Sequence, residues 1–212
     1  MFDAWEVRDG EFDMLETSPM TATPFLGPDV RDLGAAYIDP SARIFGEVEI
    51  GAEASIWCNV VVRAESQRVV IGPRVNVQDF VMIHVGAGTP TLIGANCSIT
   101  HHVTLHDCDI GADCLIGIGA TIMDGCVIGA GSIVAGGSFL KEGTVIPPHS
   151  IVMGSPGAVA KTRDNAVANA MNAFLYWRNG QAYADGDYRL WSKESFRAEM
   201  AAERHRLMSA AG

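Results

Sequence analysis

An all-β solenoid, a parallel β-helix wound from six-residue repeats, is the fold class this sequence predicts. Aliphatic residues recur at every sixth position: Ile38, Ile44, Ile50, Ile56 and Val62, then Ile71, Val77 and Ile83, then Ile93, Ile99 and Leu105. After one step of five they continue at Ile110, Ile116, Ile122, Ile128, Val134, Leu140, Ile146 and Val152. Four residues beyond many of them stands something small or thin, such as Ala42, Ala54, Cys97, Cys114, Ala120, Cys126 and Ser138. Glycine, 23 residues in all, often follows the aliphatic position directly, as in IGAE, IGPR and IGAD, which beside abundant Val and Ile spells short strands separated by turns. An amphipathic helix repeats at 3.6 residues and a half-buried strand at two, so neither produces a period of six. Stacked repeats do.

Taken in order, residues 1–35 lack the period and carry Pro19, Pro24 and Pro28, which predicts an extended N-terminal arm. Residues 36–160 are the β-helix, and the slips at 63–70 and 84–92 are expected to leave it as loops. Beyond Pro156 the period stops, and residues 161–212 are expected as a C-terminal helical segment packed alongside. Its first helix spans 164–179 (DNAVANAMNAFLYWRN), with Asp164 as cap candidate, Gly180 just beyond its end, and an Ala, Met and aromatic face toward the solenoid. A second helix runs from about Lys193 to Leu207 with Ser192 as its cap. The repeat resembles that of hexapeptide-repeat proteins, which coil left-handed with three hexapeptides per turn. The resemblance implies a left-handed triangular prism of roughly six to seven coils about 4.8 Å apart. Cys97, Cys114 and Cys126 hold the small inward position and read as buried core thiols, while Cys58 and Cys108 fall elsewhere in the count.

Composition narrows the function. Acidic residues outnumber basic ones 25 to 15, a formal charge of -10, and no Lys/Arg run interrupts that field, so nucleic acid and anionic membrane are poor partners. No apolar window approaches a membrane span, and the acidic N-terminus has no signal-like apolar region, which reads as a cytoplasmic protein. Five cysteines without a CxxC pair imply reduced thiols.

The histidines sort by register. His149 and His205 read as surface residues, whereas His84, His101, His102 and His106 cluster. His84 and His106 each follow an aliphatic position directly, on one face and one coil apart, close enough to share a metal. His101 comes second after Ile99, around a corner. Trimeric packing of parallel prisms would bring it to a neighbour's His84 and His106, making three interfacial metal sites. In the same count Arg63 lies one coil below His84, and Asp79 one coil below His101 with Gln78 beside it; Arg63 and Asp79 are then candidates to pair across that interface.

The segments VVRAESQRVVIGPRVNVQDFVMIH and SITHHVTLHDCDIGADCLIGIGATIMDG resemble the gamma-class carbonic anhydrase family, over about residues 36–160. The resemblance implies metal-dependent reversible hydration of carbon dioxide to bicarbonate in a homotrimer, with zinc, or iron or cobalt, held by His84, His101 and His106. It matches Arg63 to the family's interface arginine and Asn76, Gln78 and Asp79 to its Asn, Gln and Asp. Gln78 would orient the nucleophile, and Glu65 and Asp79 would hold hydrogen bonds around the ligands. Three departures stand out: Glu65 where the family usually has Asp, Phe174 in place of a tyrosine with Tyr176 nearby, and a short loop VGAGTP after His84 without an acidic shuttle residue. The competing readings are acyl transfer from, or hydrolysis of, a coenzyme A thioester, and a catalytically weak metal-binding scaffold.

Overall fold

The structure is a computed structural model that describes residues 25–210; residues 1–24 of the expected arm lie outside it. Each aliphatic position of the repeat points into the prism and stacks on its counterpart one coil away. Three parallel columns result, one per face. Ile38, Ile56, Val77, Ile99, Ile116, Val134 and Val152 form the first and mark about seven coils. Ile44, Val62, Ile83, Leu105, Ile122 and Leu140 form the second, and Ile50, Ile71, Ile93, Ile110, Ile128 and Ile146 the third. All but the half-buried Ile38 are buried. The fold is therefore the parallel β-helix of stacked coils that the repeat predicted, its axis filled by Ile, Val and Leu.

The slip at 63–70 does not leave the prism as a whole. A single strand, Val61–Ile71, runs around the corner between the second and third faces and pairs with Arg43–Ile50 on both. The register shifts between Gly46 and Val48, where Gly46 opposes Ala64 but Val48 opposes Val69. Only 65–68 bulge outward, because pairing on both sides costs nothing to keep and is lost if the whole segment departs. The second slip is a loop over 85–90, between Met82–His84 and Thr91–Ile93.

Both ends of the apolar axis are covered, as a stacked repeat requires. Within the stretch expected as an arm, Leu26 bridges Ile44 and Val30–Asp32 pairs parallel with Val48–Ile50, so Leu26 and Val30 lie on the core. At the far end Ser150–Gly154 turns back into antiparallel Gly157–Thr162, a strand that crosses the expected boundary at 160, and Gly157 lies against Leu140 and Val152.

Helix α1, Ala166–Ala184, starts two residues later than expected, with Asn165 at the N-cap and Asp164 Oδ1 accepting the Ala166 N–H at 2.9 Å, and it runs past Gly180. Gly180 is a contact rather than a stop: a Cβ there would stand 3.2 Å from the Cβ atoms of both Ser55 and Tyr37. The buried face of α1 is also more polar than expected. Its buried residues are Asn169, Ala173, Asn179, Gly180 and Ala182, since the first face presents buried Ser55, Asn76 and Ser98 outward. Asn169 Nδ2 donates to the Asp113 and Ser132 carbonyls and Asn172 Nδ2 to Ser98 Oγ. Aromatic packing lies farther along, with Tyr183 edge-on to Trp57 and Tyr37. Helix α2 covers Glu194–Ala210; Ser192 does not cap it but closes the short 3-10 turn Leu190–Ser192, donating to the Arg189 carbonyl. Phe196 is buried in a small cluster with Ala182 and Leu190, and Arg178 pairs with Glu199 at 2.9 Å.

Cys97, Cys114 and Cys126 are buried as expected, and so is Cys108. Counting forward from Leu105 misplaced it. The one five-residue step puts Cys108 two residues before Ile110, the inward position that Cys126 holds before Ile128. Cys58 is half-buried, its Sγ 3.3 Å from Asp39 Oδ2, and burial together with the Asp39 carboxylate pushes its thiol up to about 11. Its thiolate fraction at neutral pH is accordingly small. Alkylation of Cys58 by iodoacetamide, followed by mass spectrometry, is expected to be slow at pH 7.5 and to accelerate about tenfold per pH unit toward pH 10; rapid labelling at neutral pH would contradict this.

Candidate metal centre

The second face carries the site. Strand pairing aligns Arg63 with His84 and His84 with His106, so the three side chains stand in one column on successive coils. His84 Nδ1 lies 3.1 Å from His106 Nε2. Two nitrogens each about 2.05 Å from one tetrahedral ion stand about 3.3 Å apart, so the pair as folded fits two ligands of a single zinc-sized ion.

Each of the three histidines has its own carboxylate. Glu65, at the start of the 65–68 bulge, places Oε2 3.2 Å from His84 Nε2 while its Oε1 accepts from Arg63 Nη1 at 2.6 Å. Asp79 Oδ2 lies 3.0 Å from His101 Nδ1. Asp124 Oδ1 lies 2.6 Å from His106 Nδ1. Within its own chain Arg63 thus pairs with Glu65. His102 takes no part: its ring stacks on Phe80 at 5.0 Å, 3° from coplanar.

His101 is not assembled with the other two. Among the described residues, the His, Cys, Asp or Glu side chains that bring three ligand atoms within 4.8 Å of one another are His106, Asp107 and Asp124. That cluster is better read as hydrogen bonding than as a ligand set. The 2.6 Å between His106 Nδ1 and Asp124 Oδ1 is well under the about 3.3 Å that co-ligands of a tetrahedral ion keep. Asp107, nearly fully buried and at φ +45°, accepts the Gly86 N–H with Oδ1 at 2.8 Å.

Gln78 and Asn76 lie on the first face, both buried, with Gln78 Nε2 donating to Asn76 Oδ1 and Asn76 Nδ2 to Ser98 Oγ, each at 2.9 Å. Within the chain Gln78 bonds Asn76 and none of the three histidines. Phe174 packs edge-on to Trp177, and Tyr176 sits edge-on between Trp57 and Trp191. Burial, and then the charge of Asp79, pushes the Tyr176 phenol up.

The loop after His84 is tied down at several points. Ser66 Oγ donates to the Gly86 carbonyl, Gln67 Nε2 to the Ala87 carbonyl and Thr91 Oγ1 to the His84 carbonyl. Gly86 lies against the His106 ring: a Cβ there would stand 3.3 Å from Cε1.

Register counting overlooked Asp107 and Asp124 because it compared like positions only. Asp124 sits second after Ile122, diagonal to His106, which is first after Leu105. The five-residue step from Leu105 to Ile110, visible in the sequence, marks the corner where the coils fall out of step and where these carboxylates meet.

Among the described residues no helix is long and apolar enough to cross a membrane. The family model described as bacterial transferase hexapeptide (six repeats) matches residues 107–142. A solved hexapeptide transferase family protein from Anaplasma phagocytophilum superposes with a TM-score of 0.70 at 29% identity, covering 74% of this chain and 96% of that one. A Methanocaldococcus jannaschii protein named "Probable carbonic anhydrase" is 47% identical over 141 residues, 66% of this chain and 89% of its own length. Gamma carbonic anhydrase 1, mitochondrial, of Arabidopsis thaliana is 35% identical over 157 residues, 70% of this chain and 57% of its own length. With near half of all positions shared across most of the archaeal relative, on the fold and histidine column just described, the chain belongs to the gamma carbonic anhydrase family of hexapeptide-repeat proteins.

Proposed function

We propose that this protein hydrates carbon dioxide reversibly to bicarbonate, at a metal held by His84 and His106 of one subunit and His101 of a neighbour in a homotrimer. The observation that carries the proposal is the 3.1 Å approach of His84 Nδ1 to His106 Nε2 on one column. Zinc, or iron or cobalt in its place, supplies water acidified to about pKa 7 as the nucleophile for carbon dioxide. His106 presents Nε2 with its Nδ1 proton held by Asp124, and His101 leaves Nε2 for a partner with Nδ1 at Asp79. Glu65, about half exposed, reaches both His84 and Arg63 and accepts hydrogen bonds at the mouth of the site. Gln78 retains its amide oxygen to orient the nucleophile, its nitrogen being committed to Asn76.

Each turnover must pass a proton to bulk water, and the loop 85–90 carries no acidic side chain. Proton export then limits the rate. The test is stopped-flow hydration of carbon dioxide by anaerobically purified protein with its metal counted. About one metal per chain is expected, with turnover abolished by chelation and rising several-fold with added imidazole buffer. Metal without turnover would leave a scaffold. Thioester chemistry is the second reading, favoured by the transferase match at 107–142; turnover of an acyl-coenzyme A by protein that does not hydrate carbon dioxide would select it.

A further inference from the structure

His106 is enclosed at three of its ring atoms. Nε2 faces His84 at 3.1 Å, Cε1 faces Gly86, and Nδ1 faces Asp124 Oδ1 at 2.6 Å. A carboxylate accepts and an imidazole nitrogen at that distance donates, so Nδ1 carries a proton and, in the neutral ring that a metal requires, the lone pair stands on Nε2. Asp124 is itself held in place by its backbone, whose carbonyl accepts the Gly143 N–H at 2.8 Å from the next coil. The neighbouring Asp107 serves a different end. Its Oδ1 takes the Gly86 N–H, and its backbone carbonyl takes the Gly125 N–H at 2.7 Å, which ties the loop beneath His106 to the turn that carries Asp124.

We infer that Asp124 is the positioning residue of His106: it selects the Nδ1–H tautomer and orients the ring so that Nε2 meets the metal without rearrangement. This rests on the reading of His84 and His106 as ligands. Partners of this kind alter metal affinity by about 10–100-fold when removed. The alternative geometry, Asp124 and Asp107 as direct ligands beside His106, makes the opposite prediction for His84, which would then be dispensable.

The experiment uses the full-length protein and two readouts. Nitrogen-15 NMR of the metal-free wild type is expected to show His106 protonated at Nδ1; the Nε2–H tautomer would overturn the inference, whatever metal the protein takes. Zinc affinity, measured by chelator competition, is expected to weaken about 10–100-fold in Asp124→Ala and to recover in part in Asp124→Asn, whose carboxamide oxygen still accepts the Nδ1 proton. Unchanged affinity in a folded Asp124→Ala variant would overturn it. His84→Ala separates the two failures. Loss of zinc there supports the histidine pair, whereas full zinc retention in His84→Ala with complete loss in Asp124→Ala would make Asp124 a ligand and sink both the inference and the reading beneath it.

Discussion

Subunits carrying His101→Ala and subunits carrying His106→Ala, each unable to hold metal alone, are expected to regain about a quarter of wild-type metal and turnover when unfolded, mixed in equal amounts and reassembled. The expectation follows from the proposed ligand set. His84 and His106 share a column, while His101 stands around the corner and, among the described residues, is not gathered with two other ligand atoms. In a closed cyclic trimer every site then draws on two subunits. A mixed ring contains one junction at which an intact His84 and His106 pair meets an intact His101, so about one site in three revives in each mixed trimer. Metal counting and stopped-flow turnover on the same sample should recover in parallel. Complete failure of the mixture, with trimers shown to exchange subunits, would rule out a shared site; full metal in either single variant would do the same.

Gly46→Ala is expected to lower the melting temperature by about 10 °C, corresponding to about 2–5 kcal/mol in a chain of this size. Two costs add. Gly46 has φ +87°, a conformation that costs an L-residue about 1–2 kcal/mol. A Cβ there would also stand 2.0 Å from the Ala64 carbonyl oxygen, so the backbone beside Arg63 and Glu65 must shift, for about 1–3 kcal/mol more. Gly137→Ala isolates the first cost, since Gly137 has φ +69° with nothing within 4 Å of its built Cβ. It is expected to lose no more than about half as much. Equal losses in the two variants, read by calorimetry, would mean that the approach to Ala64 relaxes freely. Because Ala64 lies between Arg63 and Glu65, Gly46→Ala should also weaken binding at the proposed metal site, and Gly137→Ala should not.

Periodicity made the architecture legible before any coordinate. A six-residue aliphatic repeat has one stacked solution, and counting it assigns each residue to a face and a coil. That is why Arg63, His84 and His106 fell into one column and Asp79 beneath His101 on arithmetic alone. The same counting failed wherever the coil length changes. At 65–68 extra residues bulge from a continuous strand where a loop was expected, and at 107–109 one missing residue moved Cys108 into the core and brought Asp107 and Asp124 around His106. Helix ends were misjudged for a related reason: Gly180 reads as a stop in isolation, but the close packing of α1 on Ser55 and Tyr37 requires it inside the helix. Repeats inform about contacts along a column because translation by one coil preserves register. Diagonal contacts, such as His106 to Asp124, depend on how neighbouring coils slip past each other, and that offset exists only once the chain is wound.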